Sequence, residues 1–217
     1  MGSNNDISLK ALAKINLGLD VVRRREDGYH EVRMIMQTIH LYDRLDIKRT
    51  KEPGIQIQTN LSFLPVNENN LIYKAAKLLM DEFSITDGVS VKLDKRIPVA
   101  AGMAGGSTDA AAMLIGVNRL FSLGLTKREL MESGVQIGAD VPYCIMRGTA
   151  LAEGIGEALS PLPPMVKCPV LIAKPSISVS TKFVYQNLKL DDTTIHPDID
   201  RLIDDIKAKN LHDIAAH

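Results

Sequence analysis

A run of small residues, P-V-A-A-G-M-A-G-G-S-T-D-A-A-A, occupies positions 98–112 and limits the folds that this chain can adopt. It follows Val89, Val91 and Leu93, whose alternation predicts a strand, and it leads into an alanine-rich segment typical of a helix. Glycine tolerates positive φ and lets other atoms approach the backbone closely. The sequence therefore predicts a strand, a tight loop and a helix N-terminus in direct succession.

A glycine-rich loop ahead of a helix can bind phosphate, because the first N–H groups of the helix have no intrahelical partners and its dipole is positive there. Gly102, Gly105 and Gly106 supply the room, and Ser107 and Thr108 add hydroxyl donors at the rim. The segment lacks the lysine of the GxxxxGK[ST] loop and also departs from GxGxxG. Taken alone, such a run is more often a close-packed turn than a ligand site, so the local pattern leaves both interpretations open.

Because the chain has no net charge, an anion can bind only where a local group of donors or cations attracts it. The 217 residues carry 26 basic and 26 acidic side chains, a formal net charge of zero, which provides no general attraction for nucleic acid or an anionic membrane. Cys144 and Cys168 lack C-x-x-C spacing, which predicts no zinc site and a reducing, cytoplasmic location. No apolar run is long enough to predict a transmembrane helix.

Hydrophobic periodicity predicts an α+β chain that begins with strands. The predicted elements are strands over 8–22, 32–40, 44–48 and 54–59, a helix over 71–83, a strand over 89–93, helices over 108–121 and 126–134, strands over 141–146, 149–152 and 170–173, and a helix over 198–209. Asp27-Gly28 predicts a turn, and Asn69 or Asn70 is available to cap the first helix. A proline cluster at 161–164 predicts a boundary near residue 163.

Three further segments accompany the glycine-rich run: A-K-I-N-L at 13–17, R-E-D-G-Y-H-E-V at 25–32 and G-A-D-V-P-Y at 138–143. In this order and spacing the four segments resemble those of the GHMP small-molecule kinases, over about residues 9–185. Four ordered motifs are far more specific than one, so the resemblance favours the phosphate-binding interpretation of the loop.

The resemblance implies a fold and a domain division, and it shows that a C-terminal motif of the family is missing from this sequence. The implied α+β GHMP kinase fold has an N-terminal ATP-binding domain like domain 2 of ribosomal protein S5, here 1–163, and a ferredoxin-like C-terminal domain of which 164–217 is the beginning. The family carries a third glycine-rich motif late in its C-terminal domain. The sequence up to His217 does not contain that motif, so the expectation is either a truncated chain or a C-terminal half that is genuinely absent.

The resemblance also implies a reaction. Within the family, D-G-Y-H and A-K-I-N-L look like the branch that uses ATP to phosphorylate the 2-hydroxyl of a cytidyl diphosphate ester of methylerythritol, in the non-mevalonate route to isoprenoid precursors. Mg²⁺ is expected with ATP, with no protein ligand assigned to it. The implied partners are these small molecules, without nucleic acid or membrane, and the chain is expected to be a monomer or weak homodimer. The alternatives are homoserine or mevalonate as the alcohol, or a nucleotide-binding fragment without turnover.

Lys14 and Asp140 are the catalytic residues that the resemblance implies. Asp140 is expected to be the general base for the alcohol, and Lys14 is expected beside it, where a cation keeps the carboxylate ionised and orients the phosphate. By local pattern alone, Asp140 could instead cap a turn and Lys14 could face solvent. Asn16 lies two residues from Lys14, so both side chains share one strand face, and Asn16 is expected to bind substrate.

Tyr29, His30 and Tyr185 are expected, by the same resemblance, to bind the cytosine through ring stacking and edge hydrogen bonds. A Tyr-His pair after a turn is also common on exposed surfaces. Phe183 lies close to Tyr185 in the sequence and is the competing choice for the aromatic partner.

The loop is expected to bind the ATP phosphates through its backbone amides. Its residues are Pro98, Val99, Ala100, Ala101, Gly102, Met103, Ala104, Gly105, Gly106, Ser107, Thr108 and Asp109. Asn70, with Lys95 or Arg96, is expected to border the adenosine, although local pattern makes these residues capping or solvated groups. Ala100, Ala101 and Ala104 stand where relatives often carry glycine, which is acceptable provided that none of them needs positive φ.

Overall fold

The computed structural model describes residues 5–175, 177, 181–191 and 193–216. Within them lie six strands and seven helices. They are β1 (Asp6–Arg24), β2 (His30–Thr50), β3 (Ile55–Thr59), α1 (Leu71–Glu82), β4 (Gly88–Asp94), α2 (Gly105–Leu120), α3 (Lys127–Val135), α4 (Val141–Met146), β5 (Thr149–Glu153), β6 (Ala158–Pro161), α5 (Thr181–Asn187), α6 (Ile199–Ala208) and α7 (Leu211–Ala216). The mixture of helices and antiparallel and parallel strands confirms the predicted α+β class.

The chain divides into two compact units that are interleaved along the sequence. The first contains the residues up to Ala13, Ile39–Val99 and Met103–Met146, and the second contains Lys14–Thr38, Ala100–Gly102 and the residues from Arg147 onward. The predicted division of the whole protein at residue 163 stays a prediction.

In the first unit, a sheet supports two helices. β3 runs parallel to β4, with Ile55 opposite Val89, and β4 runs antiparallel to β2, with Arg44 opposite Asp94. α1 packs against α2. Asn70 caps α1 as predicted, because its side chain accepts a hydrogen bond from the N–H of Ile72.

The helix α2 begins at Gly105, within the small-residue run, and is buried along most of its length. Its close approach to the sheet depends on Gly116, because a Cβ at that position would overlap Cδ1 of Ile47 and lie 3.5 Å from Cδ1 of Leu9. The absence of a side chain at Gly116 therefore allows α2 to pack closely on the sheet. This packing places the N-terminus of α2 at the glycine-rich loop.

In the second unit, the first part of β2 pairs with β5, with Met34 opposite Ala152, and β5 pairs with β6. The predicted helix over 198–209 is confirmed as α6, capped by the carboxylate of Asp198. Its apolar side packs with Ile35, and Arg33 donates to both oxygens of Asp200 at 2.8 and 2.5 Å. Gly18 of β1 leaves room for this helix, since a Cβ there would lie 2.9 Å from Cδ2 of Leu202.

Two sequence-based assignments are wrong. Residues Val141–Met146 were expected to form a strand but form α4, in which the N–H of Cys144 donates to the carbonyl of Asp140. A short apolar run that is buried on all sides has no periodicity by which strand and helix can be told apart. Residues 170–173 were expected to form a buried strand, but they lie outside the described strands and Leu171 is 96% exposed.

The strands predicted over 32–40 and 44–48 form one continuous strand, β2. The polar interruption between them contains Asp43, whose carboxylate is completely buried. Among the described residues, no helix combines the length and the apolar character needed to cross a membrane.

Replacing Gly116 by alanine tests the packing of α2. Helix propensity alone would make Gly116→Ala about 1 kcal/mol more stable, but the overlap with Ile47 is expected to make the protein less stable by about 1–3 kcal/mol. Urea unfolding measures the difference. A gain in stability would show that α2 lies farther from the sheet than described.

Candidate active site

The glycine-rich loop connects the end of β4 to the start of α2 and contains three residues with left-handed backbone. These are Ala100, Gly102 and Ala104, with φ of 53°, 70° and 54°. Backbone N–H groups next to left-handed residues can point into a shared concavity that binds an anion. Ala104 is the N-cap of α2, and its side chain has no acceptor for the first N–H groups of the helix. Those N–H groups therefore suit an external acceptor such as a phosphate oxygen.

The expectation that none of the loop alanines needs positive φ is wrong, because Ala100 and Ala104 adopt positive φ. Left-handed backbone costs a residue with a Cβ about 1–2 kcal/mol. The sequence could not reveal this cost, because alanine by itself gives no signal of φ.

The predicted loop residues differ in exposure. Pro98, Val99, Ala100, Gly102 and Gly106 are exposed, Ala101, Ala104, Gly105 and Ser107 are half-buried, and Met103, Thr108 and Asp109 are buried. The expectation that the hydroxyl of Thr108 lies at the rim is wrong. It donates to the carbonyl of Leu12 at 2.8 Å and so ties α2 to β1.

Lys95 was interpreted as a solvated side chain on its local pattern, and that interpretation is wrong. Its side chain is 4% exposed, and its Nζ contacts Asp43 and lies 2.8 Å from Oδ2 of Asp109. Burial raises the pKa of Asp109 well above its usual range, against the lowering effect of Lys95. The other oxygen of Asp109, Oδ1, is buried without a hydrogen-bond partner among the described residues. Direct contact of Lys95 or Asp109 with a nucleotide stays a prediction.

Sequence reasoning missed Asp43. Its carboxylate accepts hydrogen bonds from the backbone N–H groups of Arg96 and Ile97, at 2.5 and 2.8 Å, in addition to Lys95. The one available signal was an aspartate next to apolar strand residues, which is equally typical of a turn.

Asn70 and Arg96 hold local positions at the surface of the first unit. Besides capping α1, the amide of Asn70 donates to the carbonyl of Pro65 at 2.7 Å. The guanidinium of Arg96 pairs with Asp94 and lies 5.9 Å from the ring centre of Tyr42. A border with adenosine stays a prediction for both residues.

Lys14 and Asn16 lie on one face of β1, as period-two geometry predicts. Nζ of Lys14 donates to Oδ1 of Asn16 at 3.0 Å, and Lys14 is only 6% exposed. The alternative of a solvent-facing lysine is therefore wrong. A nearly buried ammonium needs an anionic or polar partner, which is consistent with a role in binding a reacting group.

Asp140 is half-buried at the residue before α4, and its carbonyl accepts the hydrogen bond from Cys144 that opens this helix. The roles of general base and of turn cap both stay predictions for its carboxylate. Asp140 belongs to the first unit and Lys14 to the second. Their convergence on one reacting centre stays a prediction.

Two of the residues assigned to cytosine binding are brought together in the second unit. The rings of His30 and Tyr185 lie 5.1 Å apart between centroids, at an interplanar angle of 38°. Tyr29, which precedes His30 in the sequence, is 60% exposed and follows a turn in which its N–H donates to the carboxylate of Asp27. The hydrogen bond from Arg25, followed by that from Tyr29, holds the pKa of Asp27 below its usual range. The turn that precedes His30 is therefore fixed by charge.

In the part of the chain that the structure describes, no three His, Cys, Asp or Glu side chains are grouped so that they could hold a metal ion. A divalent cation brought by ATP would be held mainly by phosphate oxygens and water.

Comparison with known proteins first gives the class. Residues 70–148 match the family described as GHMP kinases N terminal domain. The match contains the glycine-rich loop, α2 and Asp140. The crystal structure of homoserine kinase from Cytophaga hutchinsonii shares the fold, with a TM-score of 0.62 over 88% of this chain and 62% of that one at 16% identity.

Closer relatives give the family. The chain is 61% identical over 210 residues to the 4-diphosphocytidyl-2-C-methyl-D-erythritol kinase of Lachnoclostridium phytofermentans, covering 97% of this chain and 72% of the relative. It is 60% identical to that of Lachnospira eligens, covering 97% and 73%. A crystal structure of 4-(cytidine 5'-diphospho)-2C-methyl-D-erythritol kinase matches with a TM-score of 0.76 at 32% identity, over 93% of this chain and 72% of that one. The chain belongs to this family of GHMP kinases.

Replacing Ala104 by glycine tests the left-handed loop. Glycine removes the strain of about 1–2 kcal/mol but adds about 0.4–1 kcal/mol of unfolded-state entropy, so we expect Ala104→Gly to be equally stable or up to about 1.6 kcal/mol more stable. Urea unfolding is the measurement. Ala101, whose φ is not positive, is the matched control, and Ala101→Gly is expected to lose stability. An equal loss in both variants would contradict the left-handed assignment of Ala104.

Proposed function

We propose that this chain transfers the γ-phosphoryl group of ATP to the 2-hydroxyl of 4-diphosphocytidyl-2-C-methyl-D-erythritol, giving ADP and the 2-phosphate of that alcohol. The observation that carries the proposal is the 61% identity, over 97% of the chain, to a kinase named for this substrate. The loop geometry and the ring pair in the second unit support it.

The phosphates of ATP would bind at the start of α2. The support is local: three left-handed residues precede the helix, and its first N–H groups face no capping side chain at Ala104. The net charge of the chain is zero, so affinity for a triphosphate has to come from these oriented amides and from nearby cations. Mg²⁺ bound to the phosphates would neutralise charge that develops on the transferred group.

The chemical step requires an alcohol oxygen in line with the γ-phosphorus. The new bond joins that oxygen to phosphorus, the bond from phosphorus to the β,γ-bridging oxygen breaks, and ADP leaves. The proton of the alcohol passes to the carboxylate of Asp140. Lys14, oriented by Asn16, would bind the transferred group electrostatically in a site of low exposure, where such an interaction is strong.

The cytidyl end of the substrate would bind at His30 and Tyr185. A pyrimidine can stack on an aromatic ring, and the imidazole offers a donor and an acceptor for the base edge. This ring pair favours a cytidyl substrate over homoserine or mevalonate, which carry no base. The likeness to homoserine kinase, at 16% identity, shows the fold alone.

Asp140→Asn and Lys14→Met test the reacting centre. Each change is expected to lower kcat for the cytidyl substrate by about 10²–10⁴-fold, because proton transfer or charge stabilisation is lost, while ATP still binds. Coupled ADP release measures turnover, and calorimetry measures ATP binding. Lys10 lies exposed on the same strand, so Lys10→Met is the control and is expected to keep its activity. Wild-type rates in Asp140→Asn would remove that residue from the role of base.

Tyr185→Ala tests the cytosine site. Loss of one stacking ring is expected to raise KM for the cytidyl substrate about tenfold and to leave KM for ATP unchanged. The matched control is Phe183→Ala in the same helix, because Phe183 is 61% exposed and should not affect either constant. If Phe183→Ala raised KM and Tyr185→Ala did not, the assignment of the aromatic partner would be reversed.

A further inference from the structure

A buried ion cluster joins three elements of the first unit, next to the residues that precede the glycine-rich loop and to the first residue of α2. The ammonium of Lys95 contacts Asp43 and lies 2.8 Å from Asp109, and all three side chains are at most 4% exposed. Asp43 belongs to β2, Lys95 follows β4, and Asp109 lies in the second turn of α2. The carboxylate of Asp43 also binds the N–H groups of the next two residues, Arg96 and Ile97. One lysine and one aspartate therefore fix the chain just before the loop.

The same lysine contacts the far end of the loop. A Cβ at Gly105, the first residue of α2, would lie 2.8 Å from Nζ of Lys95 and 3.2 Å from Cγ2 of Ile97. The missing side chain thus lets the ammonium approach the backbone of the first helical turn. Asp109, four residues later on this helix, accepts a hydrogen bond from the same ammonium. Lys95 therefore connects both ends of the segment from Ile97 to Gly105.

The charge of the cluster bears on phosphate binding. With both carboxylates ionised, the cluster would carry a net charge of −1 close to the start of α2, where a polyanion is proposed to bind. Lys95 and Asp43 are the charged groups that face Asp109, and Oδ1 of Asp109 has no hydrogen-bond partner in the described part of the chain. Burial raises the pKa of Asp109 well above its usual range, against the lowering effect of Lys95, and a proton on Asp109 would make the cluster neutral.

We propose that Lys95, held by Asp43 and joined to Asp109, is a positioning residue that fixes the N–H groups at the start of α2 for the triphosphate of ATP. It acts through the backbone of the loop and not by touching the nucleotide. The proposal rests on the proposed function of the loop as the ATP site. The hydrogen bonds of the cluster hold the residues on both sides of the loop in place.

Lys95→Met and a pair of changes at Asp109 test the proposal. Lys95→Met and Asp109→Ala each break the connection to α2 and are expected to weaken ATP binding about tenfold, because small displacements of a binding group are costly. Both should also speed hydrogen exchange of the amides of residues 105–109 in the ligand-free protein. Asp109→Asn keeps the shape of the acid and an acceptor for Lys95, so it is expected to weaken ATP binding less than Asp109→Ala does. Lys77→Met, a lysine exposed on α1, is the matched control.

The pH dependence of the free energy of unfolding tests whether Asp109 is protonated in the folded protein. A carboxyl whose folded pKa is raised gives stability that is complete below the unfolded value of 3.8 and is lost as pH rises through the folded pKa. The stability of Asp109→Asn relative to the wild type should therefore increase as pH rises above about 4. Constant relative stability would contradict the neutral cluster.

The test of the Lys95 cluster does not depend on whether the chain is an active kinase. Calorimetry and hydrogen exchange need no turnover, so a wild-type chain that phosphorylates no alcohol still tests the cluster. If Lys95→Met does not fold, the comparison of Asp109→Ala with Asp109→Asn decides. Wild-type ATP affinity and loop exchange in Asp109→Ala, or equal impairment of the two Asp109 variants, would overturn the proposal.

Discussion

The first unit depends on one buried ammonium. Lys95 makes contact with two carboxylates that come from a strand and a helix far apart in the sequence, and Asp43 extends the connection to two backbone N–H groups. Removing a cation from water costs several kcal/mol unless partners replace its hydration. A lysine in this environment is therefore stable only when β2, the end of β4 and the start of α2 are all in place, which makes the arrangement specific to one geometry.

A buried ion cluster is an unusual way to join elements that apolar side chains could join with less risk. Well-packed hydrophobic residues of similar volume often stabilise a fold as much or more. Apolar contacts, however, have no direction, whereas a carboxylate between an ammonium and two N–H groups fixes distances and angles. The location beside the glycine-rich loop gives such directional bonds a purpose, since phosphate recognition by backbone amides requires accurate placement of those amides.

Much of the fold followed from local patterns, and the failures have physical causes. Helix periodicity and caps predicted α1 and α6 to within a residue, because each has one buried and one exposed face, and strand alternation predicted β1 to within two residues at each end. The segment that became α4 is buried on every side and so lost its periodicity. The cluster around Lys95 could not be predicted, because only tertiary contacts distinguish a buried lysine from a solvated one.

The candidate site shows the same division. Local geometry predicted that Lys14 and Asn16 share a strand face, and the structure agrees at 3.0 Å. The roles of Asp140 and of the rings that contact each other at His30 and Tyr185 came from family resemblance, because side chains from distant segments leave no joint signal in one sequence. The resemblance identified the chemistry, and the structure added the neighbours through which that chemistry is organised.

The left-handed backbone at Ala100 and Ala104 also limits which substitutions this loop can accept. Branched side chains are nearly excluded from that region of φ, whereas glycine, asparagine and aspartate enter it readily. An added carboxylate would repel a bound polyanion, and a bulky residue would fill the space the phosphates need. Few residue types therefore fit at these two positions, first because of the backbone conformation and second because of the bound phosphates. The small residues of this segment are thus a consequence of its backbone geometry.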